Sequence, residues 1–371
     1  MISAPGAAPT SLDALTGRPG IDRPIRVLVV DDSALVRRVL TTELSRCSDI
    51  EVVGGAVDPY AAREKIVTLR PDVLTLDVEM PRMDGLSFLA KLMQHYPMPV
   101  VIVSSLTPKH SEAAVRALSL GAVEVICKPG SSFSSPDVGG LARAVRAAAA
   151  ARVKRSAPPP VGAPREKSTP VAAAAISTSH KILALGASTG GTQALEAVLR
   201  ELPASAPGTV IVQHMPPHFT AAFAERLDRV CAMRVRAAKD GDDVVPGVAL
   251  VAPGGHHLML QASGARYQAR VKDGPPVHHQ RPAVDVLFTS VARAAGRNAI
   301  GVVLTGMGAD GARGLLAMRD AGSFTVAQDE ASSVVYGMPR EAAKLGAAEE
   351  VLSLGDVASR VMEVFGTERY R

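Results

Sequence analysis

Short, uninterrupted apolar runs alternate with stretches of helical spacing along most of this chain, and that alternation leaves few folds open. In the first third the strand-like runs are Arg26–Val30, Glu51–Val57, Val73–Leu76, Pro99–Val103 and Ala122–Ile126. Helical spacing separates them, as in Ala34–Leu44 and Gly85–His95, and a last helix is expected around Leu141–Val153. A strand that is apolar at every position is covered on both faces, which fits a parallel sheet between two helix layers better than a sheet with one wet face. Beyond residue 180 the pattern resumes. Strands are expected at Lys181–Leu185, Thr209–Gln213, Val248–Ala252, His257–Gln261, Ala299–Leu304 and Thr325–Gln328. Helices fit Gln193–Leu202, Phe219–Val230, Val284–Ala295, Gly311–Ala321 and Pro339–Leu345, and His257–Val271 reads as an antiparallel excursion. The expected fold class is α/β, with two doubly wound, mainly parallel-sheet domains.

Proline marks the joint between them. Pro158-Pro-Pro160, Pro164 and Pro170 fix φ and remove donors, so residues 151–178 read as a semi-extended Pro/Ala-rich linker. Residues 1–22, rich in Ala, Pro, Gly and Ser without periodicity, read as a disordered leader. The remaining segments, 23–150 and 179–368, are each long enough for a core of their own. With 47% apolar and 21% charged residues, bulk disorder is excluded. No apolar run approaches the ~20 residues of a membrane span, and Met1–Thr10 lacks the basic start and apolar stretch of an export signal. Cys47, Cys127 and Cys231 are scattered and form no CxxC pair, which argues against a disulfide framework or a Cys-based zinc site. A cytoplasmic protein is expected. The net charge of +5 comes partly from local runs such as Arg152-Val-Lys-Arg155, with no aromatic-interleaved basic stripe, so no nucleic-acid partner is expected.

In a parallel sheet all the C-terminal strand ends gather at one edge, where ligands bind. In the first domain that edge collects Asp31 and Asp32 after the first strand, Asp77 after the third, Ser104 after the fourth and Lys128 after the fifth. Converging carboxylates repel unless a hard cation shares them, and oxygen ligands suit Mg²⁺. Asp77 could then accept a phosphoryl group, with Lys128 as a point charge for the new oxygens and Ser104 as a hydroxyl. A plainer account makes Asp32 and Ser33 only a helix N-cap, but that leaves the other strand-end residues unexplained.

The second domain opens with Lys181-Ile-Leu-Ala-Leu-Gly-Ala-Ser188-Thr-Gly-Gly191, a strand, a glycine-bounded turn and a helix start. Such a turn either cradles a phosphate on free N–H groups or lifts a nucleophile above the sheet. It matches neither G-x-G-x-x-G nor G-x-x-x-x-G-K-[ST]. A serine nucleophile needs an imidazole to take its proton and a carboxylate to orient that imidazole. His214 and Asp310 follow later strands and should reach the same edge; alone, either could be a packing or capping residue. Gly306 and Gly308 flank Met307 in backbone suited to close approach. The neighbouring pairs His256-His257 and His278-His279 are poor chelators, because adjacent residues on a strand face opposite ways.

These motifs carry a resemblance. Residues 25–129 resemble a response-regulator receiver domain through Val29-Val-Asp-Asp-Ser33, Asp77-Val-Glu-Met-Pro-Arg-Met-Asp-Gly85 and Lys128-Pro129. Residues 180–365 resemble the methylesterase domain of the CheB family. The motifs are Gly186-Ala-Ser-Thr-Gly-Gly191, Gln213-His-Met-Pro216, Pro275 to Phe288 with Arg281-Pro-Ala-Val-Asp285, and Leu304-Thr-Gly-Met-Gly-Ala-Asp-Gly311. The resemblance implies a flavodoxin-like receiver and a Rossmann-like catalytic domain. By it, Asp77 is the phosphoacceptor, and Asp31, Asp32, Asp77 and the Glu79 carbonyl hold Mg²⁺. Ser188 would be the nucleophile, His214 the base, Asp310 the orienting carboxylate and the Met307 N–H an oxyanion donor. The implied activity is hydrolysis of glutamate γ-methyl esters, and of glutamine amides, on chemoreceptor cytoplasmic helices. Its implied phosphodonor is a chemotaxis histidine kinase. One departure stands out: Val125 occupies the position, three before Lys128, where receivers commonly carry a switching aromatic. The rival expectations are an adaptor with an inert esterase fold, which Ser188, His214 and Asp310 speak against, and a DNA-binding regulator, for which the second domain is too large.

Overall fold

The computed structural model describes residues 23–80, 84–105, 107–128, 138–153 and 181–366. The expected leader, Pro129 and the linker beyond Val153 lie outside them. The first domain is built from β1 (Ile25–Val30), α1 (Ala34–Leu44), β2 (Ile50–Ala56), α2 (Pro59–Leu69), β3 (Val73–Asp77), α3 (Gly85–His95), β4 (Val100–Ser104), α4 (Pro108–Ser119), β5 (Glu124–Cys127) and α5 (Val138–Ala149). Its five strands are all parallel, in the order β2-β1-β3-β4-β5. The order reverses beside β1, so the crevice between β1 and β3 opens where Asp31 and Asp77 end their strands.

The second domain contains β6 (Ile182–Ala187), α6 (Gly191–Glu201), β7 (Gly208–Gln213), α7 (Thr220–Val230), β8 (Arg234–Ala237), β9 (Val248–Val251), β10 (His257–Ser263), β11 (Arg266–Lys272), α8 (Val284–Ala294), β12 (Ala299–Val303), α9 (Ala312–Asp320), β13 (Phe324–Gln328), α10 (Met338–Lys344), β14 (Glu350–Leu352) and α11 (Leu354–Gly366). Seven strands form a parallel sheet in the order β14-β13-β12-β6-β7-β9-β8. The expected antiparallel excursion is the separate β10–β11 hairpin.

Both sheets bear out the α/β expectation, and for the reason the sequence suggested. Strands β3, β4, β6, β7, β12 and β13 are buried at every residue. Continuous apolar character fails as a signal only at the margins. Edge strand β8, Arg-Val-Arg-Ala, alternates exposed and buried residues, and β14 is only three residues long, so neither stood out.

The two domains touch through a defined face. Helix α4 packs on α6, α7 and the 3₁₀ turn Pro217–Phe219. Gln193 Nε2 donates to the Leu118 carbonyl at 2.5 Å, and Thr189 Oγ1 donates to Glu124 Oε2 at 2.8 Å. In the same interface, the Arg152 N–H donates to the Val334 carbonyl at 2.8 Å, and its guanidinium pairs with Glu330 at 2.6 Å.

Candidate active site

Sheet register brings Ser188 and His214 together. Strands β6 and β7 pair with Ala187 opposite Gln213, so the next residue of each chain segment leaves the sheet side by side. The His214 N–H donates to the Ala187 carbonyl at 3.1 Å, and the Ser188 N–H to the Thr305 carbonyl at 3.0 Å, which stitches the loop after β12 onto the same turn. Glycine is required here for space. A Cβ on Gly191 would lie 2.2 Å from Gln213 Oε1, and one on Gly306 would lie 2.7 Å from the Ser188 Cβ.

Asp310 completes the group. His214 Nε2 lies 2.8 Å from Asp310 Oδ2, and both side chains are buried. Asp310 also accepts the main-chain N–H groups of Val284 at 2.7 Å and Asp285 at 2.9 Å, the first two residues of α8. Burial pushes the Asp310 carboxyl up, but the His214 hydrogen bond and charge and the two N–H donors outweigh it and hold its pKa below the ordinary value. A carboxylate only accepts, so the neutral ring carries its proton on Nε2. Nδ1 is buried without a partner among the described residues and is the nitrogen left to take a proton. The Ser188 hydroxyl is adjacent but makes no hydrogen bond to the ring. Such bonds often tighten only when substrate binds.

The N–H groups of Met307 and Thr189 have no acceptor among the described residues. Met307 was expected as an oxyanion donor. Thr189 was not singled out in the sequence, although the residue following a serine on a strand-turn-helix is a general signal for a free N–H.

At the other rim, Lys128 Nζ lies 2.6 Å from Asp77 Oδ2 and 2.9 Å from Asp31 Oδ2. Carboxylate oxygens of Asp31, Asp32 and Asp77 all fall within 4.8 Å of one another. The capping account holds for Ser33, whose hydroxyl accepts the Val36 N–H, and not for Asp32; Asp31 Oδ1 accepts the Ser33 N–H at 2.9 Å while its Oδ2 faces Lys128. Burial pushes the Asp77 carboxyl up; Lys128 opposes this and Asp31 adds to it, with a net rise. Crowded, partly buried oxygens of like charge suit a divalent cation. The Glu79 N–H donates to Asp77 Oδ1 at 3.2 Å, while its side chain pairs with His110. Ser104 is buried with its hydroxyl on the main-chain carbonyls of Ser105 and His110, at 3.5 and 3.4 Å, rather than on Asp77. Val125 is a core residue.

The His256-His257 pair separates as expected, whereas His278 and His279 lie in a turn rather than on a strand. His257 Nε2 faces the Pro275 carbonyl and its Nδ1 accepts the Ala283 N–H, whereas His256 faces Asp273. His278, Asp285 and Asp310 come within 4.8 Å of one another, a grouping not read from the sequence.

A phosphoacceptor-like rim on one sheet and a serine, histidine and aspartate on the rim of another make this a two-domain response regulator with an enzymatic output module. Residues 27–133 match the response regulator receiver domain family, and residues 183–361 match the CheB methylesterase family. The chain is 56% identical over 341 residues to protein-glutamate methylesterase/protein-glutamine glutaminase 2 of Syntrophus aciditrophicus, covering 92% of this chain and 99% of the relative. It is 55% identical over 345 residues to protein 4 of that name in Anaeromyxobacter dehalogenans, covering 93% and 96% respectively. To the Salmonella typhimurium protein-glutamate methylesterase/protein-glutamine glutaminase it is 53% identical over 341 residues, covering 91% and 96%. The chain belongs to the CheB methylesterase family.

Proposed function

We propose that this protein hydrolyses glutamate γ-methyl esters, and glutamine side-chain amides, on chemoreceptor cytoplasmic helices in the cytoplasm, under the control of Asp77 phosphorylation. The observation that carries the reading is the buried His214–Asp310 pair on the strand end next to Ser188, in a chain whose relatives bear that activity in their names. Ser188 Oγ attacks the ester carbonyl as its proton passes to His214 Nδ1. The tetrahedral oxyanion takes hydrogen bonds from the Met307 and Thr189 N–H groups. Methoxide leaves with the proton from His214, as methanol. Water then attacks the acyl-serine by the same route, releasing a glutamate carboxylate and restoring Ser188. For a glutamine substrate the leaving group is ammonia.

In the receiver, Asp31, Asp32, Asp77 and the Glu79 carbonyl would hold Mg²⁺, whose charge would neutralise phosphoryl oxygens, while Lys128 pairs with the phosphorylated Asp77. A chemotaxis histidine kinase is the expected phosphodonor. Docking of α4 and β5 on Thr189 and the first turn of α6 supports an inhibited resting state, because this contact begins one residue from Ser188. Adding up to ~2 charges at Asp77 reorganises that face. Methanol release from a methylated receptor fragment, with and without acetyl phosphate, tests the proposal. Stimulated release supports it, and absence of release in both conditions contradicts it.

Docking should also respond to pH. Glu124 is partly buried against Thr189, and burial pushes its carboxyl up to about 7. The opposing influences are the Thr189 hydrogen bond and the Arg143 charge on α5. An undocked, solvated Glu titrates near ~4.3. The docked form therefore holds the proton more tightly. Its advantage is full below the solvated value and is lost as pH rises to about 7. The ratio of basal wild-type activity to that of Glu124→Gln should rise several-fold between pH 6 and pH 8. A ratio independent of pH would remove Glu124 from the docking account.

A further inference from the structure

We infer that Asp285, steadied by His278, is a positioning residue that fixes the Asp310 carboxylate for its work on His214; this rests on the catalytic reading above. Asp285 is the second residue of α8, a place where an acidic side chain ordinarily serves its own helix end. Here neither oxygen does so. Oδ1 accepts the Gly314 N–H of α9 at 2.6 Å, and Oδ2 accepts from His278 Nε2 at 3.0 Å. The N-cap residue Ala283 has no side-chain acceptor, so the first N–H groups of α8 are left to Asp310.

The contacts close a ring. Residue 285 gives its main-chain N–H to Asp310 Oδ1 and takes, on its side chain, the N–H of Gly314, four positions after Asp310. The donor helix is thereby tied to the helix that leaves the catalytic carboxylate. Close packing leaves little slack. A Cβ on Gly314 would lie 3.0 Å from Asp285 Cα and 2.7 Å from Phe288 Cβ, and a Cβ on Gly311 would lie 2.7 Å from Val284 Cγ1.

His278 reaches Asp285 from a two-residue turn. Val277 and Gln280 exchange main-chain hydrogen bonds of 3.0 and 2.9 Å, with φ of 51° at His278 and 60° at His279. That left-handed conformation is uncommon for residues other than glycine, and here it brings the imidazole onto the second Asp285 oxygen. The four carboxylate oxygens of Asp285 and Asp310 each already accept an N–H donor, so the group is a hydrogen-bonded clamp rather than an ion site. Misplacing a catalytic group by ~1 Å can cost ~10²-fold in rate with little effect on substrate binding.

The test uses the full-length protein with acetyl phosphate and a methylated receptor fragment. Asp285→Ala should lower kcat about 10- to 100-fold with KM within about twofold. Asp285→Asn keeps an oxygen for the Gly314 N–H and should stay within about threefold of wild type. His278→Ala, at a half-exposed side chain, should lower kcat by roughly 3- to 10-fold. The low-field NMR resonance of the His214 Nε2 proton should move in Asp285→Ala and His278→Ala and stay in place in Asp285→Asn. The inference is overturned by an Asp285→Ala kcat within twofold of wild type, by Asp285→Asn failing as badly as Asp285→Ala, or by lost activity with an unmoved resonance. Ser188→Ala and Asp310→Ala run alongside. Activity surviving in those two defeats the catalytic reading, whereas their loss with Asp285→Ala intact defeats only the clamp.

Discussion

Ser188→Ala should lower methanol release from a methylated receptor fragment by ~10³–10⁴-fold or more. The expectation follows from the local structure: the His214 ring has one nitrogen committed to Asp310 and one buried without a partner among the described residues, beside a serine on the adjoining strand end. Removing the hydroxyl leaves that nitrogen nothing to activate but water. The oxyanion donors survive, so activity should fall to a low residue rather than to zero. Asp310→Asn should be nearly as severe, at ~10⁴-fold, for a different reason. An amide has one oxygen where the carboxylate has two, so it cannot accept from His214, Val284 and Asp285 together, and the ring loses its fixed orientation and tautomer. Near-normal kcat in Ser188→Ala would end the assignment of that residue.

Residues 175–371 alone should show basal activity raised by about tenfold or more over the full-length unphosphorylated chain, the order expected when a tethered domain no longer competes for the catalytic edge. In the full-length protein, Asp77→Asn should remain at the basal rate when acetyl phosphate is added. The structural basis is the position of α4 and β5: Glu124 bonds Thr189 on the turn that carries Ser188, and Gln193 in the helix that follows bonds the Leu118 carbonyl. Steady-state methanol release checks both. Lower activity on truncation would refute steric inhibition.

Much of this organisation was legible in the chain because parallel strands are buried on both faces and therefore write themselves as continuous apolar runs. Helices α1 and α3 lie at Ala34–Leu44 and Gly85–His95, as their spacing predicts. Ser188, His214 and Asp310 were legible for a related reason: Ser188 and His214 sit just past apolar runs and Asp310 in the loop that follows one, and a parallel sheet sends such positions to one edge. What stayed hidden depends on contacts between distant elements. Nothing around Glu124 announces that Thr189, 65 residues on, will bond its carboxylate. Asp285 reads as an ordinary acidic residue in a helix's first turn, and its tie to Gly314 exists only because α8 and α9 pack without a side chain between them. The tautomer of His214 was equally out of reach, since it is set by which ring nitrogen faces Asp310. At the receiver rim, spacing placed Asp77 and Lys128 correctly, but not the Ser104 hydroxyl, which local geometry holds on carbonyls of its own loop.

Covalent labelling with a fluorophosphonate, followed by peptide mapping, tests most directly whether these residues act as one unit. The account predicts a single modified residue, Ser188, and loss of labelling in His214→Ala. Modification of a different serine, or labelling of Ser188 at an undiminished rate without His214, would contradict it.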